Sequence, residues 1–161
     1  IQGLIAHANQ RIQVSDCKIV SSGTGLLAQG AGAELVASDI EFGACSYVHA
    51  SAKDGGAVAL SIYGVSGGGG AHLRAESFGR IICDDTATLL ANVTFSAGWV
   101  VCDGGLGLVK YDGGAIDLDG HTVTGKRYDI QAGSVCNTYG GGASFLPGSV
   151  AGTTATGGQY L

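Results

Sequence analysis

The sequence predicts an all-β chain wound as a parallel β-helix, or solenoid. Three observations lead there. Glycines interrupt every stretch long enough for three helical turns, and each interior glycine costs a helix about 1 kcal/mol relative to alanine. Short runs rich in Val, Ile, Leu and Tyr alternate with Gly and Ser. Part of the chain also repeats at a spacing of 23 residues.

The strand-like runs come in order as RIQVSDCKIV, AVALSIYGV, GRIICD, ATLLANVTF, GWVVCD, GLGLVKY and AIDLDGHTV. VSDCKI (14–19) is echoed 23 residues later by ASDIEF (37–42) and after another 23 by LSIYGV (60–65). LANVTF (90–95) is a fourth copy after 30 residues, as though a loop had been inserted. Positions one, four and six of each copy are apolar or small, and positions four and six share one face of a strand. A second echo joins IICDD (81–85) to VVCDG (100–104). Spacings of this size suit one coil of a solenoid, with small and apolar side chains stacked inside and glycines at the corners. A β-sandwich or meander with irregular loops is the alternative.

Composition narrows the function. Thirty of 161 residues are glycine, and only 13% are charged, about half the share of an ordinary domain. A net charge of −5 and a pI near 5.1 argue against nucleic acid, which calls for a basic stripe. No run of 18 apolar residues would carry a helix through a membrane. A chain starting at Ile1 without methionine reads as a fragment or a processed product, and no signal-peptide pattern opens it. Cys17, Cys45, Cys83, Cys102 and Cys136 are odd in number and lack zinc spacing, so they read as buried free thiols from a reducing compartment.

The chain divides into a solenoid-like region, 1–129, and a neutral glycine-rich segment, 130–161, in which no charged residue occurs. The latter carries a few anchors, Tyr139, Phe145, Leu146, Val150, Tyr160 and Leu161. Alone it cannot offset ordering costs of about 1–2 kcal/mol per residue. Three copies wrapped about one axis would give those anchors a shared core and close the assembly.

The ending TYGGGASFLPGSVAGTTATGGQYL resembles the C-terminal segments of phage and prophage tail spikes and tail fibres. AIDLDGHTVTG is similar to the motif that opens coils in their pectate-lyase-like β-helix domains. The resemblance implies a right-handed, homotrimeric parallel β-helix with a C-terminal glycine-rich clasp. It also implies folding in bacterial cytoplasm, a working place on a virion tail or an extracellular adhesive fibre, and recognition of a bacterial surface glycan.

Seven of the 13 acidic residues lie between Asp84 and Asp129, together with Trp99, Tyr111 and His121. Aromatic faces pack on sugar rings and carboxylates accept hydrogen bonds from hydroxyls, so Trp99, Asp103, Tyr111, Asp112 and His121 are the expected glycan contacts. A glycosidase would need two carboxyl groups across one bond, drawn from Asp84, Asp103, Asp117 and Asp119, with Asp84 and Asp85 brought near Asp103 by equivalent CD steps. Each Asp-Gly pair is also an ordinary turn signal. DLDG holds only half of a calcium loop. His49 and His72, 23 apart, suggest one place on successive coils, and two ligands fall short of a metal site. SGGGGA and YGGGAS lack the Lys-Ser/Thr of a phosphate loop, and no Gly-x-Ser-x-Gly elbow occurs. No cofactor or metal is expected. The leading reading is a non-catalytic, glycan-binding fibre tip. A polysaccharide-degrading spike is the alternative, with a monomeric solenoid adhesin or ice-binding domain after it.

Overall fold

The computed structural model describes residues 3–161. Seventeen strands, joined by parallel pairings, cover the described residues, and no helix occurs among them. The first are β1 (Leu4–Ala6), β2 (Arg11–Ser21), β3 (Thr24–Gln29), β4 (Glu34–Lys53), β5 (Ala57–Leu60) and β6 (Tyr63–Val65). Then follow β7 (Gly69–Glu76), β8 (Arg80–Cys83), β9 (Ala87–Leu89), β10 (Val93–Asp103), β11 (Leu108–Tyr111) and β12 (Ile116–Asp117). The last are β13 (Val123–Gly125), β14 (Tyr128–Ile130), β15 (Val135–Asn137), β16 (Thr153–Thr154) and β17 (Gln159–Tyr160).

They wind into a β-solenoid of about seven coils. A first face stacks β1, β3, the end of β4, β7, the end of β10, β14 and β16. A second stacks the starts of β2 and β4, then β5, β8, β11, β15 and β17. A third stacks the middles of β2 and β4, then β6, β9 and β12. A short run through Cys45, Gly69, Phe95 and Gly125 closes each coil back to the first face.

The 23-residue repeat is the coil itself. Cys17, Ile40 and Tyr63 are register partners, as are Ile19, Phe42 and Val65. The expected fourth copy is displaced: Tyr63 pairs with Ala87 and Val65 with Leu89, while Val93 and Phe95 lie on the short closing run. The two CD steps are not equivalent either. Cys83 pairs with Leu60 and Tyr111 on the second face, and Cys102 with Ala75 and Ile130 on the first. The two steps end at different corners, so Asp84 and Asp85 are not stacked on Asp103.

The corner between the first and second faces sets the winding. Asn9, Gly32, Gly55, Phe78, Leu106, Gly133 and Gly157 all adopt left-handed φ between 52° and 81° there. The coil-to-coil ladder runs on through it: the N–H groups of Asn9, Gly55, Phe78, Leu106 and Gly133 donate to Ala31, Ser77, Gly105, Ala132 and Thr156 at 3.0–3.2 Å. A Cβ one residue later, at Gly56, Gly79, Gly107 or Gly158, would strike the carbonyl of Ala28, Ala52, Ala75 or Ile130. At the left-handed position itself a side chain costs about 1–2 kcal/mol, yet Phe78 and Leu106 occupy it.

The segment 130–161 is held by its own chain. β15 pairs with β11, β17 with β15 and β16 with β14. Leu146 is fully buried, Phe145 packs edge-on against Tyr111 with centroids 5.2 Å apart, and Tyr160 stacks on Tyr128 at 4.1 Å. Leu161 donates its N–H to Cys136 O (2.9 Å), and Thr138 donates to Leu161 O through both N–H and hydroxyl. Three of the six expected intersubunit anchors therefore pack within the chain. Tyr139, Val150 and Leu161 remain exposed.

The centre of the solenoid is aromatic: Phe42, His49, Tyr63, His72, Phe95 and Trp99 pack with ring centroids 4.2–5.9 Å apart. His49 and His72 do occupy one place on successive coils, and one Nδ1–H donates to the other Nδ1 at 2.9 Å. Both imidazoles are fully buried. Burial pulls His49 down to about 4, opposed in part by the carbonyls of Gly68 and Gly43, and pulls His72 well below its usual value. All five cysteines are free, four of them buried, with Cys83 and Cys102 pushed up to about 12 chiefly by burial.

Above pH 6.5 the two histidines are neutral in both the folded and the unfolded chain. As pH falls from 6.5 toward 4 the unfolded chain takes up protons that the core refuses, so stability drops by about 3 kcal/mol for His49 alone. Thermal unfolding followed across that window reads the loss. The His49→Gln/His72→Gln chain, though weaker at neutral pH, should lack this slope.

Candidate functional site

Several expected sugar contacts lie inside the molecule. Trp99 and Tyr111 are interior, and Trp99 Nε1–H donates to Tyr111 OH at 2.9 Å. Neither ring offers a face to solvent, so the expectation of a Trp99–Tyr111 sugar platform is corrected. For Trp99 the cause is the register shift between Phe95 and Gly98, which leaves Trp99 through Cys102 all buried, while Tyr111 faces inward by the regular alternation of β11.

The aspartates serve turns and ion pairs. Asp117 Oδ1 accepts from the Asp119 N–H (3.0 Å), and Asp119 and Gly120 follow with left-handed φ of 44° and 75°. His121 ends this turn, donating its N–H to Leu118 O at 2.7 Å. Asp84 is exposed at the corner after β8, one coil from Asp112. Asp112 pairs with Lys110 at 2.6 Å, and the Lys110 Nζ lies 5.2 Å from the centroid of the exposed Tyr139 ring.

Asp103 alone of the expected residues joins a larger cluster, on the outer side of the first face. Arg74 Nη2 meets Asp103 Oδ2 at 2.8 Å, its Nε meets Glu76 Oε2 at 2.8 Å, and Nη1 donates to Tyr47 OH. The guanidinium carbon sits 5.1 Å from the Tyr47 ring centroid, and that ring is 48% exposed. Stacking fixes this geometry, since Ser51 pairs with Arg74, Arg74 with Val101, and Glu76 with both Lys53 and Asp103. Burial pulls the Arg74 pKa down, but Asp103 and Glu76 more than offset it, so the charge is held firmly.

One coil on, Asp129 accepts from Gln131 (3.1 Å) and Thr153 (3.1 Å) and pairs with Lys126 (3.3 Å). Burial pushes its carboxyl up, and these donors outweigh that and hold it below the usual carboxylate value. Ser51, Arg74, Val101, Asp129 and Thr153 thus form one straight row along the solenoid, with neighbours about 4.8 Å apart. Within it Ser51 and Val101 are buried, so what reaches solvent is a shallow polar strip of Arg74, Asp129 and Thr153 with an aromatic ring at one end. It can present fixed donors and acceptors to a flat, hydroxyl-rich ligand. Both acidic groups nearest Tyr47 are committed to Arg74. Among the described residues no group of three or more His, Cys, Asp or Glu could hold a metal ion.

Sequence reasoning missed Tyr47, Arg74 and Glu76. The signal was the His49/His72 spacing, which also superposes Ser51 on Arg74 and Lys53 on Glu76. Comparisons with protein-family models, curated proteins and solved structures gave no match.

Trp99→Phe removes the donor to the buried Tyr111 hydroxyl and leaves a small void. Urea unfolding should show a loss of about 2–4 kcal/mol, with no change in the polar strip.

Proposed function

We propose that the chain is a non-catalytic, glycan-binding attachment module, of the kind found in phage-like tail fibres and spikes, acting outside the cell on a bacterial surface polysaccharide. The observation that carries this reading is the exposed Tyr47 ring set beside Arg74, Glu76 and Asp103 on consecutive coils. The ring supplies an apolar face for a sugar, Arg74 donates to its oxygens, and the carboxylates accept from its hydroxyls. Three carboxylates, Glu76, Asp103 and Asp129, and three cations, Lys53, Arg74 and Lys126, balance along the strip, which suits a neutral glycan. A rigid solenoid keeps these groups in fixed order, so little ordering cost falls on binding. Presentation in more than one copy would raise avidity without any new contact.

Binding to an array of capsule and O-antigen polysaccharides tests the reading. Tyr47→Ala should weaken binding at least tenfold, about 1.4 kcal/mol, while leaving the unfolding midpoint nearly unchanged. Trp99→Phe should do the reverse. Release of reducing ends from a bound polysaccharide would favour a degrading spike instead, and binding indifferent to Tyr47 would exclude the strip.

A further inference from the structure

The constellation around Tyr47 is built a second time, on another side of the solenoid and from unrelated local sequence. At the corner that follows β11 and β15 the Tyr139 ring is 55% exposed. The Lys110 Nζ lies 5.2 Å from its centroid and pairs with Asp112 at 2.6 Å. At the first cluster the Arg74 guanidinium lies 5.1 Å from the Tyr47 centroid and pairs with Asp103 at 2.8 Å. In both clusters the cation also meets the tyrosine hydroxyl. Hydrogen bonds to Asp112 and Tyr139 raise the Lys110 pKa, so its charge is held as that of Arg74 is.

Register assembles the second cluster as it does the first. Lys110 is the partner of Ile82 and Asn137 on the outer side of the second face. Asp84, Asp112 and Tyr139 each follow one of these three by two residues, so they stand in one column along the corner, with neighbours about 4.8 Å apart. Asp84 is exposed and enters no ion pair among the described residues, which leaves its oxygens as spare acceptors. The backbone under the ring is tied down. Tyr139 donates its N–H to Asn137 Oδ1 at 2.8 Å, Gly141 donates to Thr138 O at 3.2 Å, and the Tyr160 hydroxyl donates to Gly142 O at 2.9 Å.

We infer that Tyr139, Lys110, Asp112 and Asp84 form a second, weaker sugar subsite for a neutral glycan, a ligand class that rests on the reading of the polar strip given above. The ring offers an apolar face, Lys110 donates to sugar oxygens, and the two carboxylates accept from hydroxyls. Two carboxylates to one cation disfavour an acidic sugar. The subsite is the weaker one because its cation is less firmly placed. Arg74 presents a planar fork held by both Asp103 and Glu76, whereas Lys110 carries a point charge on a flexible stem with one carboxylate partner. More of the ordering cost therefore falls on binding. The strip opens on the first face and this subsite at the corner past the second, so one chain can hold two glycan strands.

Binding to the capsule and O-antigen array separates the subsites, using Tyr47→Ala, Tyr139→Asn and the double variant. Asparagine suits the left-handed backbone at position 139 (φ 54°), so Tyr139→Asn should leave the unfolding midpoint unchanged. Tyr47→Ala should retain binding at least tenfold weaker than that of the unaltered chain. Adding Tyr139→Asn should weaken this remainder at least tenfold again. A remainder that Tyr139→Asn leaves untouched, or no remainder at all after Tyr47→Ala, would overturn the inference. Binding indifferent to Tyr47 but lost with Tyr139→Asn would keep this subsite and exclude the strip, and an array on which no polysaccharide binds would exclude both.

Discussion

Everything in this molecule depends on a parallel hydrogen-bond ladder that passes from coil to coil, shifting register only where β2, β4 and β10 bulge. Because the N–H groups of Asn9, Gly55, Phe78, Leu106 and Gly133 at the first corner each donate to the next coil, successive coils turn at the same place and with the same left-handed geometry. That requirement explains the glycine content better than flexibility does. At Gly56, Gly79, Gly107 and Gly158 a carbonyl of the preceding coil occupies the space a side chain would need. The same lockstep builds the interior, since stacked positions hold Leu35 on Val58 and Ile81, and Leu26 on Ala50 and Leu73. It also draws the exterior rows from residues far apart in sequence. The polar strip beside Tyr47 follows from register, not from a local motif.

The interior shows how narrow a solenoid core is. Large rings fit only where neighbouring coils give way: Tyr63 lies over Ala87, and Trp99 occupies the widened stretch after the register shift in β10. Most polar atoms brought inside with these rings find one another, Trp99 with Tyr111 and His49 Nδ1 with His72 Nδ1, while His49 Nε2 has no hydrogen-bond partner. Such pairs cost little while both members are present, and a good deal when one is removed or charged. The core thereby couples its stability to proton uptake, although its histidines take no part in the surface strip.

The sequence showed the fold most clearly where coils are equal in length. On the second and third faces the spacing between Val14 and Val65 is 23 throughout, and the motif alignment matches the register partners residue by residue. Beyond that point coils on the first face lengthen to 27 and 28 residues, from Leu73 to Val100 and on to Tyr128. Ala87 is too small to mark its strand, and the stronger pattern around Phe95 attracts the alignment instead. Inside and outside were legible only while strict alternation held. The shift between Phe95 and Gly98 cancels it at Trp99, while Tyr111 points inward by the ordinary alternation of β11. Asp103 survived as a site residue because it ends β10, where a charged side chain must face out and meets Arg74. The place of the terminal segment in the solenoid was not legible from composition, since nothing in GGGASFLPGSVAGTT announces that Leu146 enters the core of the coils before it with Phe145 packed against it.

The claim on which these conclusions turn is that residues 130–161 complete the solenoid through the coil-to-coil ladder. Amide hydrogen exchange resolved along the chain tests it directly. The account predicts that Val135, Ala155 and Gln159, which donate to Gly107, Ile130 and Ser134, exchange orders of magnitude more slowly than an unstructured chain. Exchange at the unstructured rate from Ile130 onward, with β7 and β8 still protected, would contradict it.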